Sequence, residues 1–132
     1  MVRIPLLILA GILSAPLMEI AGYLWLQVVP LEMDLTAHYF SMVVLPMALL
    51  VHFLICLTFW KAFEPTPRLG AAVYVGTHVV AQATLLSLLE NPLADIAMYC
   101  LMLLVSGSLT QFVFNRYFWC SQCAGPIFTA RS

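Results

Sequence analysis

The chain has 132 residues, of which 64% are hydrophobic (AVILMFWYC) and 8% charged, with a formal net charge of −1 and a mean hydropathy of +1.03. Soluble domains are typically about 45–50% apolar and about 25% charged, so these few charges would not cover a soluble domain of this length. A nucleic-acid partner is not expected either, because five basic residues form no stripe that neutralises phosphates.

In chain order, four apolar runs stand out: 4–29, 39–63, 69–89 and 95–119. Each is near the roughly 20 residues that cross a bilayer as a helix. None alternates with period two, which speaks against a β-barrel. The first run opens with Pro5, where a missing N–H costs little. Arg3, the apolar run and the small residues Ser14 and Ala15 imitate a signal peptide. Leu13 at the minus-three position, Pro16 and the length of the run, beyond the about 7–15 residues of a typical h-region, favour a retained span. The breaks at 30–34, 64–68 and 90–95 each combine proline with charge. Pro16 is expected to free the Ile12 carbonyl, and Pro46 to kink the second helix.

Charge sets the expected orientation. Arg3, Lys61, Arg68, Arg116 and Arg131 fall on one side of these spans, and Glu32, Asp34, Glu90 and Asp95 on the other. Basic residues mark the cytoplasmic side, so both termini are expected there. Phe59, Trp60, Phe118 and Trp119 would form an inner aromatic belt, and Trp25 an outer anchor.

The halves resemble each other. His52-Phe-Leu-Ile-Cys-Leu-Thr-Phe-Trp60 aligns without gaps on Gln111-Phe-Val-Phe-Asn-Arg-Tyr-Phe-Trp119, and the same offset pairs Gly11 with Gly70 and Glu19 with His78. The expectation is an all-α membrane protein of four transmembrane helices, built as two tandem hairpins, about 4–63 and 64–120, with a cytoplasmic tail at 121–132. Such a parallel repeat would be related by an axis along the membrane normal.

Ionisable groups inside spans are the strongest bottom-up pointers to function. Glu19, His52 and His78 each lie near the middle of a run, so all three share a depth near the midplane. Glu19 sits on a face with Gly11, Ala15 and Gly22, small residues that allow a close helix neighbour. His78 shares its face with Tyr74 and Gln82, one turn to either side. Gln111 lies between Ser108 and Asn115 on a polar face of the last span, with Arg116 at the interface. Glu19, His78, Gln82, Tyr74, His52, Gln111, Asn115 and Arg116 are therefore the candidate substrate-binding residues. For each a packing role stands beside the functional one: interhelical hydrogen bonding for the buried groups, and interface anchoring for Arg116.

Cys120-Ser-Gln-Cys123 has redox or zinc spacing. Facing a reducing cytoplasm, and with Cys56 and Cys100 inside spans, it is expected to serve neither role. No metal, cofactor or catalytic residue is expected.

The segment Ser108-Leu-Thr-Gln-Phe-Val-Phe-Asn-Arg-Tyr-Phe-Trp119 resembles the closing motif of GtrA-like membrane proteins. That motif has a polar residue, Phe, two apolar residues, then Asn-Arg and aromatics; here it is carried by Phe112, Asn115, Arg116 and the aromatics Tyr117, Phe118 and Trp119. The chain departs from the family at Ala10-Gly-Ile-Leu-Ser14, which lacks the usual Asn, and at Cys56-Leu-Thr-Phe-Trp-Lys61, which lacks Asn-Arg. The resemblance implies flipping or handling of a polyprenyl-phosphate-linked sugar for cell-surface polysaccharide synthesis, in a bacterial cytoplasmic membrane, beside a membrane glycosyltransferase. The segment 10–22 is also similar to the first helix of small multidrug resistance exporters, which implies a proton-coupled exporter using Glu19. A noncatalytic scaffold that recruits a glycosyltransferase is the third reading. Four helices enclose little cavity, which suggests a homo-oligomer.

Overall fold

In a computed structural model the chain is described over residues 3–28, 40–63 and 67–119. Cys120, Cys123, Arg131, Glu32 and Asp34 lie outside the described residues. Helix α1 is Arg3–Val28, continuous through Pro16. A π turn, Phe40–Val44, leads into α2, Leu45–Thr58, and a break at Phe59 separates the one-turn α3, Trp60–Phe63. Helix α4 is Pro67–Leu88, and α5 is Leu93–Phe114, extended by a second π turn, Asn115–Trp119. No strand occurs among the described residues.

Local chemistry explains the ends. Pro67 opens α4, where its missing N–H is one the helix would leave unpaired anyway. The expected kink at Pro46 takes another form: Pro46 sits in the first turn of α2, immediately after the wider π turn. Without an N–H it leaves the Met42 carbonyl without its usual donor. Helix α4 ends in a Schellman turn, with the Glu90 N–H on the Ser87 carbonyl and the Asn91 N–H on the Leu86 carbonyl, both at 3.1 Å. Glu90 takes φ 58, the left-handed position usually given to glycine, so this turn carries backbone strain.

Among the described residues, three helices are long and apolar enough to cross a membrane: Arg3–Val28, Arg68–Leu88 and Leu93–Tyr117. The second expected span is the exception. Its apolar helix, Met42–Thr58, is shorter, because the turn before Pro46 and the break at Phe59 interrupt the run. Outward faces remain apolar, with Val80 66%, Phe112 59% and Leu24 57% exposed. Such a continuous apolar coat marks membrane contact.

Helix α1 packs beside α4 and α2, and α5 beside α4 and α2, leaving α1 opposite α5 and α2 opposite α4. Leu7 lies near Gly70, Gly11 near Tyr74 and His78, and Glu19 near Gln82, so α1 and α4 run parallel. Phe40 packs edge-on against Tyr99 and Phe53 against Phe114, so α2 and α5 are parallel too. The helices therefore go up, down, up, down. An axis along the bundle exchanging the hairpins would put α1 opposite α4, but they are neighbours. The hairpins lie side by side, related by a lateral shift, and the expected two-fold arrangement is not adopted.

Glycine sets the closest approach. A Cβ on Gly11 would lie 2.8 Å from the Thr77 Cβ, 2.9 Å from the Tyr74 carbonyl oxygen and 3.0 Å from the His78 nitrogen. This seats α1 directly on the α4 backbone, as small residues allow in lipid. Gly22, on the same expected face, has nothing within 4 Å, so the close contact ends before it. Trp25, Phe59 and Trp60 are half-buried against the core cluster; the side chains of Phe118 and Trp119 lie outside the described residues.

Candidate functional site

Helix α4 carries Tyr74, His78 and Gln82 one turn apart, a column about 12 Å long at 1.5 Å per residue. All three are fully buried, as are Ser14 of α1 and His52 of α2. At one end the Gln82 Nε2 donates to Glu19 Oε1 at 2.5 Å, and Glu19 is half-buried. At the other end the Tyr74 hydroxyl lies 2.8 Å from His52 Nδ1 and 3.2 Å from Ser14 Oγ. The His52 and His78 rings are 5.1 Å apart at 66°. The column thus joins α1 and α4 to α2, the helix at the opposite corner of the bundle from α4.

Counting hydrogens shows what this chain can do. Ser14 Oγ donates to the Ala10 carbonyl at 2.7 Å, so Tyr74 can donate to Ser14 while His52 Nδ1–H donates to Tyr74. In the alternative, Tyr74 donates to His52 Nδ1, and the ring proton sits on Nε2. The two states differ only in where protons sit, the property a relay needs. Four polar atoms of the column stay buried without a well-formed hydrogen bond: His52 Nε2, both ring nitrogens of His78, and Gln82 Oε1. Gln82 lies beside His78, but without the geometry of a bond. Buried atoms of this kind normally find partners, and here four of them fall in one column.

Of the sequence candidates, Glu19, Gln82, His78, His52 and Tyr74 come together. Gln111 donates from Nε2 to Cys56 Sγ at 3.2 Å, with its Oε1 unpartnered. Cys56 follows His52 by one turn of α2, so Gln111 stands one turn beyond the column. Asn115, half-buried, and Arg116, exposed, lie further still, on the second π turn, and do not join the column. Ser14 was not among the candidates. Its signal was a hydroxyl three residues after Gly11, on the face that meets α4. Among the described residues no group of three or more His, Cys, Asp or Glu is placed to hold a metal.

The Tyr74 hydroxyl links three helices, so Tyr74→Phe breaks two contacts at once. At an average of about 0.6 kcal/mol per interhelical hydrogen bond in a membrane, with His52 Nδ1 left unpaired, a loss of about 1–2 kcal/mol is expected. Equilibrium unfolding in mixed micelles measures it. An unchanged midpoint would show that the Ser14–Tyr74–His52 chain contributes nothing to the fold.

No protein-family model, curated protein or solved structure matches this chain.

Proposed function

We propose that this chain is a four-span membrane translocator that couples movement of a small solute to proton exchange on Glu19. The observation that carries the reading is the Glu19 carboxyl bonded to Gln82, at the end of a buried column that holds two histidines with unmet ring nitrogens. An ionised carboxylate at a helix centre costs on the order of 2.5–3.5 kcal/mol to insert, on the scale given for Asp. Taking up a proton removes most of that cost, so protonation state and helix arrangement are linked. The up-down-up-down order supports both ends being cytoplasmic. It gathers Arg3, Lys61, Arg68 and Arg116 at one end of the bundle and Glu90 and Asp95 at the other. In this topology α2, with its flanking π turn and α3, forms the remaining span.

The test uses vesicles of phosphatidylethanolamine and phosphatidylglycerol loaded with the pH dye pyranine. Tetraphenylphosphonium or ethidium imposed on one side drives proton counterflow in the native protein. Glu19→Asp retains it and Glu19→Gln loses it. Equal counterflow in native protein and Glu19→Gln would refute the reading.

A second reading, handling of a prenyl-phosphate-linked sugar, has its own support. An apolar groove of about 330 Å³ runs between α2 and α5, lined by Leu49, Leu50, Phe53, Leu109, Val113 and Phe114. Asn115 and the exposed Arg116 directly follow Phe114. A prenyl chain suits the groove and a phosphate suits the guanidinium fork. A fluorescent prenyl-phosphate sugar that becomes accessible to an external quencher separates the two. Transfer lost in Arg116→Ala but kept in Glu19→Gln favours this second reading.

A further inference from the structure

We infer, building on the proton exchange proposed for Glu19, that Gln82 is a positioning residue: by turning over its carboxamide it passes the protonation state of Glu19 on to His78. Gln82 is fully buried. Its Nε2 donates to Glu19 Oε1, while its Oε1 has no hydrogen-bond partner. The same carboxamide lies beside the His78 ring, and neither ring nitrogen of His78 has a partner. One amide therefore stands between a carboxyl and an imidazole, and only its carboxyl side is bonded. The titratable groups packed around it are Glu19 of α1, His52 and Cys56 of α2, and Tyr74 of α4. Helix α5 places Gly107 beside the His52 ring.

Each of these three groups has two hydrogen-bonding states. An ionised carboxylate only accepts, whereas a protonated carboxyl also donates. A carboxamide has a donor end and an acceptor end of nearly the same size and shape, so it turns over within one space. A neutral imidazole donates from one nitrogen and accepts on the other. With Glu19 ionised, Gln82 must present Nε2 to the carboxylate, the orientation the structure has. Its Oε1 then suits an N–H of His78. With Glu19 protonated, the new O–H needs an acceptor, and hydrocarbon offers none. The turned carboxamide supplies Oε1 to that O–H and leaves Nε2–H for His78, which must now accept. His78 keeps one proton in both states, on the nitrogen toward Gln82 in the first and on the other nitrogen in the second. The tautomers interconvert through the imidazolium, one proton arriving from water as the other leaves to water, during the local openings by which buried groups exchange. The net uptake is the single proton on Glu19.

The experiment uses solid-state ¹⁵N spectra of histidine-labelled full chain in phosphatidylethanolamine and phosphatidylglycerol bilayers, which separate the two neutral tautomers from the imidazolium. His78 is picked out through the Thr77–His78 pair, which occurs once in the chain. Infrared spectra of the same samples follow the Glu19 carboxyl band, defined by its absence in Glu19→Gln, as the medium is acidified. In native protein the ratio of the two neutral His78 tautomers is expected to change about tenfold or more as Glu19 takes up its proton, because the disfavoured tautomer sets donor against donor in a buried site. In Gln82→Met, which keeps the length and loses the two-ended amide, the carboxyl band still responds and the ratio stays flat. In Glu19→Gln the ratio does not follow acid. A native ratio that ignores the carboxyl band overturns the inference, and so does a ratio that follows it equally in Gln82→Met. A Glu19 band that never responds overturns both this inference and the proton exchange beneath it. Failure of the translocator reading shows elsewhere, as equal counterflow in native protein and Glu19→Gln.

Discussion

Glu19→Gln is expected to lower proton-coupled counterflow about 100-fold or more while leaving the protein folded. The size comes from the about 10²–10⁴-fold contribution of a positioned proton-transfer group. The preserved fold comes from the geometry. Gln82 donates from Nε2 to Glu19 Oε1, and a glutamine at position 19 presents an amide oxygen at the same place. Its stability should stay within about 1 kcal/mol of native, since the amide oxygen accepts the same bond from Gln82. Glu19→Ala differs: it strands the Gln82 amide in a buried site and should cost about 1–3 kcal/mol as well as activity. Flux and unfolding measured on both variants separate a proton-exchanging carboxyl from a packing one. If Glu19 only holds α1 to α4, Glu19→Gln keeps its flux and Glu19→Ala loses stability.

The largest effect on the fold is expected at Gly11. Its hydrogen faces the Tyr74 carbonyl and the His78 nitrogen, which are main-chain atoms, and a Cβ would lie about as close to them as a hydrogen-bonded pair. No rotamer change relieves that contact; α1 must move off α4. Overpacking of this kind costs about 1–3 kcal/mol, so Gly11→Ala should sit in that range and Gly11→Leu above it. Displacing α1 also pulls Ser14 from Tyr74 and Glu19 from Gln82, which lie one and two turns further along. Both the unfolding midpoint in mixed micelles and proton-coupled counterflow should fall together. Gly22→Ala is the control, with nothing within 4 Å of its Cβ. A Gly11→Ala protein as stable and active as native would mean that α1 and α4 are not in close contact.

Much of the fold was legible because this chain punctuates itself. Proline and charge stand between the apolar runs, and the helices begin and end within a few residues of those marks. What was not legible depends on interruptions inside a run. The π turn before Pro46 and the break at Phe59 shorten α2, and neither changes the composition of the segment. The halves are similar at an offset of 59 residues, but similarity in sequence says nothing about neighbours in space. It therefore suggested a two-fold arrangement that the packing of α1 on α4 does not adopt.

The site divides the same way. Tyr74, His78 and Gln82 were readable as a column because i, i+4 spacing stacks side chains on one helix face. Glu19 was readable as an intramembrane acid. The contact from His52 to Tyr74 was not, since it crosses the bundle between helices at opposite corners and depends on their rotation. Ser14 was read only as one of the small residues that imitate a cleavage site, because nothing in its spacing shows that it meets Tyr74 across the α1–α4 contact. Gly11 and Gly22 looked equivalent on one face, and only the course of α4 distinguishes them.

The most direct measurement is infrared difference spectroscopy of the carboxyl stretch in bilayers at one fixed pH, as tetraphenylphosphonium or ethidium is added. A carboxyl band that changes on adding the solute is expected, missing in Glu19→Gln and shifted in Gln82→Leu, where its hydrogen-bond partner is gone. A difference spectrum identical in native protein and Glu19→Gln would contradict proton exchange at Glu19.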